Sequence, residues 1–130
     1  MSTRGKLYLA LLACLLCFVL LFTTRPSYRP FSELSAAQLS AIELDTGTGV
    51  IGRVEDPEML EAFAEQLSAL TISRHSDPSG RELSTLWVMR EDGNEFEVIL
   101  FPAHVIIDGT ACAADPAVIQ ALADLALQGS

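Results

Sequence analysis

The longest apolar stretch of the chain, residues 7–22, lies near its start and contains no charged side chain. Together with Thr23 and Thr24 it would form a helix about 27 Å long, enough to cross a thin hydrocarbon core. The end of the stretch and the residues after it, 22–27, offer no good pair of small residues at the spacing that signal cleavage requires. The pattern therefore predicts an uncleaved N-terminal transmembrane helix, with a basic tip and this helix together occupying residues 1–24.

The predicted anchor would hold the rest of the chain against a membrane through residues 7–24. We expect a linker over 25–32 and a domain over 33–130 on the extracytoplasmic side, because a short N-terminal tail favours that orientation. Two alternatives remain open. Leu11–Cys14 resembles a bacterial lipobox, in which Cys14 would carry the lipid, and ordinary cleavage would release a secreted domain.

Beyond the anchor, short apolar runs that partly alternate with polar residues predict strands. Asp92-Gly93 and Asp108-Gly109 predict tight turns, and the first pair favours a primed hairpin turn. A further turn is predicted over 46–49. The predicted strands are 41–45, 50–54, 71–75, 83–90, 95–101, 104–107 and 110–113.

Two segments of helical period each begin with an Asp-Pro pair, at Asp56-Pro57 and at Asp115-Pro116. The aspartate is expected to accept hydrogen bonds from free N–H groups, and proline fits the first helical position. Ser35 and Gln38 also form a capping-box pattern before a short helical turn. The expected inward-facing residues are Leu60, Phe63, Leu67 and Leu70 in the first helix and Val118, Ile119, Leu122 and Leu125 in the second.

These elements predict an α+β fold after the anchor. We expect an antiparallel or mixed sheet of about five to six strands, with two helices that cover one face. The other face of such a sheet can be exposed to water.

Charge is divided sharply along the chain. Residues 1–30 contain four basic residues and no acid, whereas residues 31–130 contain seventeen acids, four arginines and no lysine, a net charge of −13. Such a surface repels nucleic acid, so a nucleic-acid partner is not expected. A well-solvated surface explains the excess of acids, and a site for a cation or a basic partner is the alternative.

Two glycine-containing motifs invite a catalytic or cofactor interpretation. Asp45-Thr46-Gly47 resembles the motif of dimeric aspartic proteases, in which each chain supplies one aspartate. A helix predicted soon afterwards stands where such enzymes need a β flap. Gly47–Gly52 matches G-x-G-x-x-G, but β-branched residues follow it instead of a helix, which favours a hairpin turn over a dinucleotide site.

The histidines and cysteines form no metal-binding pattern. His75 and His104 are the only histidines, and solvent-facing positions at strand ends are expected for them. Cys14 and Cys17 lie in the apolar stretch, where they are expected to act as small apolar residues. Cys112 is alone in the domain and is expected to be buried, and the only tryptophan, Trp87, is expected in the core or on a sheet face.

Several structural motifs together resemble a group of small secreted or membrane-tethered domains of unknown function from Gram-positive bacteria. In that group a tyrosine often follows the second Asp-Gly turn, whereas this chain has Thr110-Ala111-Cys112. The resemblance implies no catalytic residue. The motifs that carry it are Pro30–Ser35, Ile42–Leu44, Asp56–Glu58, Asp92-Gly93 and Val105–Gly109.

The sequence thus favours a non-enzymatic accessory or sensor module that binds a protein or an envelope component. No catalytic residue, cofactor or metal ligand is predicted. A dimeric aspartic-protease-like hydrolase that uses Asp45 and a purely structural envelope protein are the alternatives.

Overall fold

The computed structural model describes residues 9–14 and 28–130. Residues 28–130 form one antiparallel sheet of seven strands, two α-helices and a short 3-10 helix over Ala36–Gln38. The elements are β1 (Leu39–Asp45), β2 (Gly52–Val54), α1 (Pro57–Ala69), β3 (Ile72–His75), β4 (Ser84–Arg90), β5 (Glu95–Leu100), β6 (His104–Ile107), β7 (Thr110–Ala114) and α2 (Pro116–Gly129).

The strands lie in the order β2-β1-β4-β5-β6-β7-β3, and every neighbouring pair is antiparallel. The prediction of five to six strands is therefore wrong. The two edge strands, β2 and β3, contain three and four residues. The sequence pattern of such short segments does not show whether they join a sheet. β3 pairs with β7, which follows it at a distance along the chain, so only the folded structure settles its place.

Alternation along the strands places one set of side chains against the two helices. Leu44, Leu86 and Val98 are completely buried on this inner face, and Phe63 of α1 and Leu122 of α2 are equally buried opposite them. Burial of each large apolar side chain stabilises the fold by about 1.5–3 kcal/mol. One continuous core between the sheet and the helices therefore holds the domain together.

The predicted inner face of the first helix is confirmed, because Leu60, Phe63, Leu67 and Leu70 are all buried. The expected cap is wrong: the Asp56 side chain accepts no hydrogen bond from the helix. In α2 the equivalent Asp115 does accept one, from the Ala117 N–H at 3.0 Å. An Asp-Pro pair thus precedes both helices, but its aspartate side chain caps only the second helix.

The two Asp-Gly turns differ in geometry. Asp108 and Gly109 both have positive φ, 47° and 87°, which is the pattern of a type I′ turn. At the other turn the Gly93 N–H donates to the Arg90 carbonyl, so Glu91 and Asp92 are the central residues. Neither has positive φ, and the expected primed turn is therefore wrong there. The Glu91 N–H donates to the Gln38 carbonyl at 2.8 Å, which ties this turn to the 3-10 helix.

Residues 28–34 pack against the domain. Tyr28 exchanges two backbone hydrogen bonds with Ile72 on the free edge of β3, at 3.0 and 2.9 Å. The Phe31 ring stacks on Phe96 with a centroid separation of 4.6 Å, and the Arg90 guanidinium lies over Phe96 as well. This segment closes one end of the core.

The predicted transmembrane helix is not supported. Among residues 9–14 and 28–130, no helix combines the length and the apolar character needed to cross a membrane. Of the predicted span, 7–24, only residues 9–14 are described; they are helical and would extend about 9 Å against a hydrocarbon core of about 30 Å. The rest of the span, including Cys17, lies outside the described residues, and the membrane and signal-anchor assignment is withdrawn.

We predict that Phe63→Ala lowers the free energy of unfolding by about 3–5 kcal/mol, because it leaves a cavity in the core. Urea denaturation of the full chain, followed by fluorescence of its single tryptophan, measures the change. Leu127→Ala is the control: this side chain is 62% exposed on α2, so its effect should stay within about 0.5 kcal/mol. Equal effects of the two substitutions would contradict the described core.

Candidate functional site

The second face of the sheet is covered by no described helix or strand. Its outward-facing side chains alternate with the buried residues of the inner face and are mostly half-buried or exposed. We call this surface the open face. It carries Glu43, Arg53, Trp87, Met89, Glu97, Ile99, Ile106 and Ala111.

The strand register aligns four of these residues in one row across the sheet. Arg53 lies opposite Glu43, Glu43 opposite Trp87, and Trp87 opposite Glu97. At the Glu97 end of these four residues, the Glu97 backbone N–H donates a hydrogen bond to the Asp108 carboxylate at 2.9 Å. We call Arg53, Glu43, Trp87 and Glu97 the cross-strand row.

The indole of Trp87 is held in place by its neighbour in the row. Its Nε1–H donates to Glu97 Oε2 at 2.9 Å, and Trp87 itself is half-buried. A tryptophan fixed in this way loses little conformational entropy when a partner packs on its exposed part. A second row beside it runs from Asp45 and Thr85 into an apolar part formed by Ile99, Ile106 and Ala111.

Arg53 links two glutamates at the edge of the open face. Its Nη1 lies 2.9 Å from Glu43 Oε1, and its Nε lies 2.5 Å from Glu55 Oε1. The hydrogen bond with Glu55, reinforced by the charges of both glutamates, raises the pKa of the Arg53 guanidinium above its ordinary value. Arg53 thus neutralises part of the acidic charge at this edge. Among the described residues, the carboxylate of Glu97 accepts a hydrogen bond only from Trp87.

Asp45 is hydrogen-bonded within its own loop in the described structure. Its Oδ1 accepts hydrogen bonds from the Gly47 N–H at 2.9 Å and from the Gly49 N–H at 3.3 Å. Both glycines have positive φ, as the tight loop between β1 and β2 requires. The carboxylate therefore organises its own loop, and the G-x-G-x-x-G sequence lies in the same hairpin connection and not before a helix.

A cleft of about 450 Å³ lies beside this loop and is bordered by Asp45, Arg81 and Glu82. The Glu82 carboxylate accepts a hydrogen bond from the Thr85 hydroxyl at 2.6 Å. Ser84 also borders the cleft, but alternation in β4 directs its buried hydroxyl to the inner face. Both carboxylates at the cleft accept hydrogen bonds from their own segments, and the aspartic-protease alternative, which needs one Asp45 from each of two chains, stays a prediction.

The two histidines differ in their surroundings. His75 is exposed, as expected, whereas His104 is half-buried and places its Nε2 3.1 Å from the Ser76 hydroxyl. Its Nδ1 is buried without a hydrogen-bond partner in the described part of the chain, so no carboxylate orients the ring as nucleophilic catalysis would require. Cys112 is buried in the core, and within residues 9–14 and 28–130 no group of three or more potential ligands could hold a metal ion.

Comparison with protein-family models, with curated proteins and with solved structures finds no match for this chain. The resemblance to small Gram-positive domains therefore stays a prediction. The open face was visible in the sequence only in part, through the alternation of Glu95 and Glu97 with Phe96 and Val98 in one strand. The alignment of Trp87 with Glu43 and Arg53 depends on strand pairing, which no local pattern specifies.

We predict that Asp45→Ala lowers the free energy of unfolding by about 0.5–1.5 kcal/mol, because two loop N–H groups lose their acceptor. Asp45→Asn keeps an acceptor oxygen and should cost less than half as much. Thermal and urea denaturation of the full chain measures both values, with the exposed Asp77→Ala as control. Equal stability of the Ala variant and the parent protein would show that the loop does not depend on this carboxylate.

Proposed function

We propose that this protein is a non-enzymatic binding module whose open face takes up a basic segment of a partner protein. The observation that carries the proposal is the cross-strand row, in which the only tryptophan lies between two glutamates on an uncovered sheet face. Aromatic residues are enriched in protein interfaces and supply much of their binding energy.

The charge of the domain favours a basic partner. Residues 31–130 carry −13 net charge, and two of their seventeen acids neutralise Arg53. An approaching lysine or arginine is attracted over a distance of about 8–10 Å at physiological salt. At contact, a cation over the Trp87 ring gains a further cation–π interaction, and Glu43 and Glu97 border that position.

The apolar part of the row beside Trp87 gives the partner a second kind of contact. Ile99 and Ile106 face each other across β5 and β6 and are only half-buried. A partner that covers them removes apolar surface from water, which contributes about 25 cal/mol per Å². We therefore propose that the bound segment combines basic residues with apolar ones. No specific observation favours the hydrolase or the structural envelope protein as a second function.

A selection from a random peptide-display library against the full chain tests this function. We expect the enriched peptides to combine lysine or arginine with aromatic or aliphatic residues, and to bind more weakly when salt rises from about 50 to about 500 mM. Because Trp87 is the only tryptophan, its emission should shift when such a peptide binds.

Trp87→Ala should weaken the binding of the selected peptides about 30-fold or more, because loss of a central interface anchor costs about 2 kcal/mol of binding free energy. Calorimetry measures the change in affinity. Leu127→Ala, on the helical side of the domain, should leave affinity unchanged. Peptides without basic residues, or peptides that bind Trp87→Ala as tightly as the parent, would overturn the proposed function.

A further inference from the structure

A groove of about 430 Å³ lies at the junction of the 3-10 helix, the start of α1 and the turn between β4 and β5. Its volume falls within the range of about 300–1,000 Å³ that is typical of small-ligand sites. Leu39 and Leu60 lie at its base and are almost completely buried, so the apolar surface that is open to the groove comes chiefly from Ala36, Ala37 and Pro57. We call these five side chains the apolar floor.

Three carboxylates border this floor: Glu55, Glu61 and Glu91. Each comes from a different segment of the chain, and among the residues that the structure describes no basic side chain lines the groove. Within the described residues, Glu61 and Glu91 form no ion pair, whereas Glu55 is bound to Arg53. The combination of an apolar floor with an acidic rim matches a long side chain that has an aliphatic stem and a cationic end.

The N-terminal end of α1, where the helix dipole is positive, lies at the groove, but neighbouring carboxylates offset it. The first helical residue, Pro57, lines the groove and has no N–H group to donate. Glu58 and Glu61 add negative charge within the first turns of α1. The electrostatic preference of the groove is therefore for a cation.

The groove also adjoins the open face. Arg53 contacts Glu43 on that face and Glu55 on the rim, and the Ser40 hydroxyl at the groove donates to the carbonyl of Met89 at 3.2 Å. A chain bound on the open face can thus cross the β2–β1 edge and reach the groove.

We infer that this groove receives one lysine or arginine side chain of the basic segment, its stem on the apolar floor and its charged end among the rim glutamates. The inference rests on the proposed function for the identity of the partner. It adds a specific anchor position at the edge of the open face, separate from the contact at Trp87.

The test uses the full chain and three small probes: the Nα-acetyl N-methylamides of lysine, arginine and norleucine, the last having a similar stem without the charge. Two-dimensional NMR titration should shift the amide signals of Leu39, Leu60 and Glu61 with the lysine or arginine probe. We expect norleucine to bind at least about fivefold more weakly. Equal affinities for all three, or shifts confined to other residues, would overturn the inference.

Glu61→Gln and Glu91→Gln should each weaken binding of the basic probe about two- to fivefold, the range for an exposed ion pair. Glu65→Gln is the matched control, because this exposed glutamate lies one turn further along α1 and does not line the groove. If the two groove variants behave like the control, the groove does not bind the cation.

The Trp87→Ala variant separates this inference from the proposed function. If this variant no longer binds the selected peptides but still binds the basic probe in the groove, both proposals stand. If peptide affinity depends on Trp87 but not on Glu61 or Glu91, the groove inference fails alone. If the probe binds in the groove while peptide affinity is independent of Trp87, the open-face function fails and the groove remains a site for a basic side chain.

Discussion

Burial of one sheet face beneath two helices is the constraint on which the rest of this structure depends. Phe63 and Leu67 of α1 and Ile119 and Leu122 of α2 have no exposed surface, and they meet an inner sheet face that is buried to the same degree. Both helices are needed for that task, and neither covers the opposite face. The open face is therefore a consequence of how the core is built: the same antiparallel sheet that buries one set of side chains presents the alternate set on its other side.

The open face and the groove are connected by one arginine. Arg53 lies on the short edge strand β2 and bonds to Glu43 on one side and Glu55 on the other. Exposed ion pairs of this kind contribute little to stability, because water and salt screen them. Their effect here is on charge distribution, because they neutralise the edge between two acidic surfaces while Glu97, Glu61 and Glu91 remain without a basic partner among the described residues. A basic segment would find attractive positions on both sides of that edge.

Local sequence patterns predicted the elements that depend on residues close together in the chain. The 3.6-residue spacing of Leu60, Phe63 and Leu67 identified α1 and its buried side, and Gln38 does reach back to the Ser35 N–H as its spacing suggested. Prediction of a turn failed where the backbone is also bonded to a second element. The Asp92-Gly93 turn is not of the primed type, and there the Glu91 N–H is bonded to Gln38. The apolar N-terminal stretch suggested a membrane helix on length and hydropathy, and the described structure does not support one.

The sequence by itself determined the acidic charge of the domain, the positions of its two helices, most of its strands and their turns, because these follow from composition, hydrophobic period and backbone preference. Tertiary structure alone decided the strand order, the place of β3 beside β7 and the alignment of Arg53, Glu43, Trp87 and Glu97 in one row. It also decided that Asp45 holds a loop and that three glutamates from separate segments meet around one apolar floor. These features join residues far apart in the chain, and such pairing is selected by the packing of the whole core, which no local segment encodes.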